Sequence, residues 1–238
     1  MIDPAYLVRF KAVSNEDLIV AALICENLTK TEVSSILDIG AGTGVVAFAI
    51  SSYTKNNPKL VLVDESSKYS DLYRANDEAE FVNSRWENVQ LDRSFDLVIM
   101  SHVLGDIDPI DRPTSIIKAI NQLSKNGLLV SVENGPENNF DDFVSDLFKR
   151  QGDEFNINFP EIEETVMSLN CQITKKDVLT FLKIGNSLEE SLENVNVLFP
   201  KIFDGKDRKI VKKMLDSRRA GHVYFIPVNQ RAYFIRRN

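Results

Sequence analysis

Four residues at alternate positions, Asp38-x-Gly40-x-Gly42-x-Gly44, carry the plainest chemistry in this 238-residue sequence. Glycines so spaced let the chain turn tightly and take positive φ. They also let the backbone approach a ligand that any Cβ would hold away. The apolar run Val45-Val46-Ala47-Phe48-Ala49-Ile50 then reads as a helix, whose first N–H groups form a cradle of positive partial charge. The dinucleotide pattern G-x-G-x-x-G/A fails at its sixth position, which is Val45. Asp64 stands 20 residues beyond Gly44, closing the apolar run Leu60–Val63, with Glu65 beside it. A carboxylate at such a strand end accepts hydrogen bonds from vicinal ribose hydroxyls. It speaks for a nucleoside without choosing among nucleoside cofactors.

The elements that must hold these residues alternate strand and helix. Strands are expected at Ile36–Ile39, Lys59–Glu65, Ala79–Asn83, Phe95–Ile99 and Leu128–Gly135. A leading helix runs from Ser14 to about Leu28, and an amphipathic helix from Thr114 to Leu123, with Lys125-Asn126-Gly127 as its C-cap. Further along, Asp141–Gln151, Glu161–Leu169 and Ser187–Leu198 read as helices. Cys171–Thr174 and Val178–Leu182 could pair as strands. Asp207–Arg219 places Ile210, Val211, Met214 and Leu215 on one helix face and Lys/Arg on the other. His222–Ile226 and Arg231–Arg236, about a turn at Pro227–Gln230, give a hairpin signal.

Taken together, the glycine-rich turn with Asp38, the acid Asp64, Phe95-Asp96-Leu97-Val98-Ile99 and Ser101-His102-Val103-Leu104 resemble the class I S-adenosylmethionine (SAM)-dependent methyltransferases. The resemblance covers residues 35–135 well and the final hairpin loosely. It implies an α/β, three-layer Rossmann-like fold with a mostly parallel seven-stranded sheet, an antiparallel C-terminal hairpin and an inserted helical/strand lid. A single domain would comprise an N-terminal helical cap (1–34), a SAM-binding core (35–135), a lid (136–220) and the hairpin (221–238).

The same resemblance implies SAM as cofactor and S-adenosylhomocysteine (SAH) as product. Asp38, Gly40, Ala41, Gly42 and Gly44 would hold the amino-acid part, with Asp64 and Glu65 at the ribose. In the family an aspartate after the third strand receives the adenine 6-amino group. Arg85 stands in that place here, a departure, with Trp86 either against the adenine ring or a half-buried surface aromatic. Ser101 and His102 would face the methionine moiety and the methyl group. His102 reads either as a proton acceptor near the substrate or as a histidine bonded to backbone at a helix start. Glu133, at the end of the fifth strand, would face the substrate. Tyr6 and Phe10 could cap the cofactor or simply pack in the core. Asp106 and Asp108 could bind a cationic substrate or form a solvated loop.

Net charge is −7, yet residues 201–238 hold 11 Lys+Arg against 3 Asp+Glu, which marks either an anion-binding face or plain surface composition. The acidic body and the absence of an Asn/Asp-Pro-Pro-Tyr/Phe motif argue against nucleic acid as partner. Two separated cysteines, no signal-like N-terminus and no long apolar run point to a cytoplasmic protein off the membrane. No compact His/Cys/Asp group has metal-ligand spacing. The expected activity is methyl transfer to a nitrogen or oxygen of a small molecule by a monomer or homodimer. The alternatives are an RNA or protein methyltransferase using the basic C-terminal region, and a catalytically silent SAM-binding subunit.

Overall fold

A computed structural model describes residues 10–28, 32–69, 79–135, 161–198 and 208–238, apart from the Ile210 side chain. Tyr6 and the helix expected at Asp141–Gln151 lie outside the described residues. The chain divides into two compact units. The larger takes residues 17–133, 158–176 and 231–238, and the smaller 1–16, 134–157 and 177–230.

Helix α1 (Glu16–Asn27), which belongs to the larger unit from Asp17 onward, begins where the Ser14 hydroxyl accepts the Glu16 N–H at 3.1 Å. Strands β1 (Ser35–Ile39), β2 (Lys59–Asp64), β3 (Ala79–Asn83), β4 (Phe95–Ser101) and β5 (Leu123–Asn134) then form, with helix α2 (Val45–Tyr53) after β1 and α3 (Arg112–Asn121) before β5. Their order in the sheet is β3-β2-β1-β4-β5, with all four of these pairings parallel. The order reverses between β1 and β4, so the carboxyl ends of those strands part to leave a crevice. The core strands are apolar almost throughout because helices cover both faces of such a sheet. Leu37, Ile39, Val98, Met100 and Leu129 pack with Ile116 and Ile120 of α3, with Ile162 and Val166 of α4 (Glu161–Ser168), and with Tyr233 and Ile235. At the opposite, amino ends of the strands, the Asp96 carboxylate accepts the Ser34 N–H and the Ser35 and Ser124 hydroxyls, tying β1, β4 and β5.

Beyond β5 the sheet continues with β8 (Val223–Arg236) and then β6 (Gln172–Gly185), 14 residues each. Only residues 231–236 of β8 and 172–176 of β6 belong to the larger unit. The smaller unit has its own core: Leu182 and Ile184 of β6, Leu192 and Val195 of α5 (Leu188–Leu198), Val211 and Leu215 of α6 (Arg208–Asp216), and Tyr224, Ile226 and Val228 of β8. Phe10 packs against that core, as one of its two expected readings had it. The start of α5 is capped as its Ser187-x-x-Glu190 suggests: the Ser187 hydroxyl accepts the Glu190 N–H, and the Glu190 carboxylate accepts the Asn186 N–H.

Three local expectations need correction. Cys171–Thr174 and Val178–Leu182 do not pair with each other; all but Cys171 lies in the single strand β6. The C-terminal antiparallel hairpin turns at Gly221-His222, where β7 (Arg219–Ala220) pairs with Val223 and Tyr224. Pro227–Gln230 is no turn but the middle of β8, where Tyr224, Ile226, Val228 and Gln230 alternate inward. Finally, α3 is closed by Gln122, whose N–H reaches Ala119 O and Lys118 O, and Lys125-Asn126-Gly127 belongs to an irregular stretch of β5. Gly127 is needed there because a Cβ would stand 2.7 Å from Phe95 O.

Candidate active site

The crevice begins at the turn after β1. Gly40, Gly42 and Gly44 all have positive φ, at 70°, 54° and 72°, so the conformational demand read from their spacing is met. The turn hangs on β2: the N–H groups of Gly40 and Ala41 both donate to Val63 O, at 2.8 and 3.0 Å. Gly44 is the N-cap of α2, and its N–H reaches back to Ala41 O at 2.7 Å. Val45, the residue that breaks the dinucleotide pattern, is 37% exposed, so no close packing is asked of it. Asp38 is buried on β1, opposite Leu62 and Ile99.

Asp64 ends β2 beside this turn. Its carboxylate accepts the Gly42 N–H at 2.9 Å on one oxygen and the Ser66 N–H at 2.8 Å on the other. An ionised carboxylate offers about four acceptor directions, so two remain for a ligand. Burial pushes its pKa up, the two N–H donors pull it down, and the Glu65 charge adds to the rise. Asn83 at the end of β3 donates to Asp64 O and Glu65 O and fixes the strand end. Glu65 itself holds Arg85, whose Nε donates to Glu65 Oε2 at 2.8 Å with both residues exposed.

Trp86 sits elsewhere. It is 4% exposed, its indole N–H donates to Ser115 O at 3.1 Å, and the Lys118 ammonium lies 4.4 Å from the ring centroid. The ring is therefore core against α3, and the adenine-platform reading of Trp86 is set aside. Sequence gave no hint of Lys118, which also donates to the Trp86 and Glu87 carbonyls.

On the other lip, Ser101 ends β4 opposite Val132 of β5. His102 follows with φ +54°, a left-handed backbone that few non-glycine residues take, and its N–H donates to Val132 O at 2.9 Å. The next residue, Val103, covers Gly40. Glu133, 2% exposed, lies on β5 one residue beyond His102's backbone partner. Arg112 was missed in the sequence. Its Nε donates to Leu104 O and Ile107 O and its guanidinium pairs with Glu161 at 3.2 Å, so it braces the loop that follows His102. Its only sequence signal is its place at the start of a helix.

A family model described as a methyltransferase domain matches residues 15–158, more than half of the chain. The chain belongs to that family. Among solved structures, this methyltransferase is similar to the YcgJ protein of Bacillus subtilis, with 15% identity, 92% of this chain and 98% of that one covered, and a TM-score of 0.60. Protein BH2331 of Bacillus halodurans C-125 gives 16%, 91%, 97% and 0.61. The plantazolicin methyltransferase BpumL, solved with a pentazolic desmethylPZN analog and SAH, gives 12%, 94%, 85% and 0.56. At these identities the likeness shows the fold. No curated protein matches the chain.

The enzyme uses SAM, and its residues fit that cofactor. Three left-handed glycines open the backbone, while Asp64 keeps two acceptor directions at the strand end. Among the described residues no helix is long and apolar enough to cross a membrane.

Proposed function

We propose that this enzyme methylates a nitrogen or oxygen of a small molecule, with His102 as proton acceptor and Glu133 on the acceptor side. In this reading Asp38 and the backbone of Gly40, Ala41, Gly42 and Gly44 hold the amino-acid end of SAM. Asp64 takes the ribose with Glu65 beside it, and Ser101 flanks the sulfonium. The bound cofactor would supply a methyl group whose carbon the nucleophile attacks in line, with SAH as the leaving thioether. The protein has then only to align the nucleophile and take its proton.

The observation that carries this reading is the backbone of His102. A non-glycine residue held at φ +54° costs about 1–3 kcal/mol and persists where its surroundings over-determine it. Here the bond to Val132 O and the packing of Val103 on Gly40 hold it at the lip of the glycine-rich turn. An imidazole there suits an acceptor that loses a proton, such as an amine or a phenol. BpumL, on the same fold, was solved with a pentazolic desmethylPZN analog and SAH, which supports an acceptor other than a nucleic acid. The net charge of −7 does not suit a phosphate backbone.

A second reading is an RNA or protein acceptor gripped by the basic segment. It draws on exposed Arg208, Lys209, Lys212 and Lys213 of α6. The experiment screens small amines and phenols with SAM, following SAH release, in wild type and His102→Asn, since asparagine tolerates a left-handed backbone. Turnover on a small acceptor that falls about 10²–10⁴-fold in the variant, with SAM affinity unchanged, is expected. Turnover on RNA alone, weakening steeply with salt, would favour the second reading.

A further inference from the structure

Three adjoining strands, β5, β8 and β6, and the last residue of α1 line a cavity of about 200 Å³. Its lining residues are Asn27, Leu128, Gln172, Thr174, Phe234 and Arg236, all of the larger unit. It lies away from the cofactor crevice: Leu128 pairs with Leu97 in the first half of β4, whereas the crevice opens beyond Ser101 and Val132. Leu128 and Phe234 are buried, Asn27 and Arg236 half-buried, and Gln172 and Thr174 exposed. Arg236 Nη1 donates to Asn126 O at 3.2 Å. Among the described residues that is the one hydrogen bond its guanidinium makes, so most of its donors are unspent. The Lys176 ammonium, 5.8 Å from the Phe234 ring centroid, brings a second positive charge. None of the lining residues is acidic.

The edge of a guanidinium formed by Nε and Nη2 presents two parallel N–H groups, which a carboxylate or a phosphate accepts together. Asn27 Nδ2 donates to Leu23 O at 2.6 Å, which fixes the carboxamide and leaves it a second N–H. The Gln172 carboxamide and the Thr174 hydroxyl add donors at the rim. Pockets for drug-sized ligands run to roughly 300–1,000 Å³, so this volume suits an anion of few atoms. We propose that the cavity is a binding site for a small oxyanion, carboxylate or phosphate, held by Arg236. The site is separate from the cofactor crevice and does not depend on which acceptor the enzyme methylates.

Calorimetric titration with inorganic phosphate and with succinate tests it, at constant ionic strength in chloride and with SAH saturating the crevice. Wild type binds one or both probes once per chain, with a Kd of about 1 mM or tighter, and the tighter probe tells phosphate from carboxylate. Arg236→Gln weakens that binding about tenfold or more, the worth of a hydrogen bond between charged groups. Lys176→Gln weakens it less, because that ammonium acts through its charge. Thr174→Glu keeps Arg236 and its bond to Asn126 and sets a carboxylate at the exposed rim, so it abolishes binding even if Arg236→Gln fails to fold. SAH affinity is unchanged in each folded variant. A wild type that binds neither probe overturns the proposal. So does binding that Thr174→Glu leaves at wild-type strength, which would mean an adventitious ion only.

Discussion

Val103 occupies the space that a side chain on Gly40 would need. A Cβ built on Gly40 stands 2.7 Å from Val103 Cγ2 and 2.9 Å from its Cβ. The turn after β1 and the turn after β4 are therefore seated on each other, and His102 is placed by a contact its neighbour makes.

Gly40→Ala combines that overlap with an L-residue at φ +70°. It should lower stability by roughly 1–3 kcal/mol in urea denaturation and weaken SAH binding more than tenfold in calorimetry. Wild-type affinity in the variant would show that the two turns can part without harm to the site.

Asp64→Ala should cost SAH roughly 1–3 kcal/mol of binding, through loss of charge-assisted hydrogen bonds. An unchanged affinity would move the ribose contact to another residue.

The raised pKa of Asp64 also sets a direction for stability against pH. A carboxyl whose folded pKa is raised holds its proton more tightly folded than unfolded. Its contribution is thus present below the ordinary carboxylate range and is lost as pH rises through the raised value. Asp64→Asn has no such proton. Relative to wild type it should gain stability with rising pH across that window, read from urea midpoints in a pH series. Parallel curves would contradict the assignment.

Trp86→Phe keeps the core packing but loses the bond to Ser115 O, at a cost of about 1 kcal/mol. Trp86→Ala should cost roughly 3–5 kcal/mol. Since the ring is core, SAH affinity of the folded Phe variant should match wild type. A drop of tenfold or more would return the indole to the adenine site.

Arg112→Lys tests the brace behind His102. Lysine has no planar fork to serve Leu104 O, Ile107 O and Glu161 together, so the variant should resemble Arg112→Ala. Both should lose about 1–3 kcal/mol of stability, measured by denaturation.

What the sequence made legible was what local chemistry dictates. Gly40, Gly42 and Gly44 announce left-handed backbone because other residues resist it, and the apolar runs of β1, β2 and β4 announce a sheet buried on both faces. Pro227 and Asn229 misled because both favour turns, although the alternation of Tyr224, Ile226, Val228 and Gln230 ran straight through them. Gly127 read as a helix C-cap because the nearness of Phe95 O depends on a strand register that no local pattern reveals. The partners of Trp86 were hidden in the same way: Ser115 and Lys118 lie 29 and 32 residues away.

The larger unit is built from three separate stretches of chain, and Tyr233 and Ile235, in the last of them, help fill its core. A ribosome makes residues 17–133 before residues 134–157 and 177–230 of the smaller unit, and only afterwards residues 231–238, which complete the first core. Vectorial synthesis therefore leaves the larger unit incomplete until β8, the strand next to β5, has been made. Such an intermediate is the kind that aggregates or engages chaperones. Pulse-chase protease protection of nascent chains stalled just before and just after residues 231–235 clear the exit tunnel would show the larger unit becoming resistant only in the second.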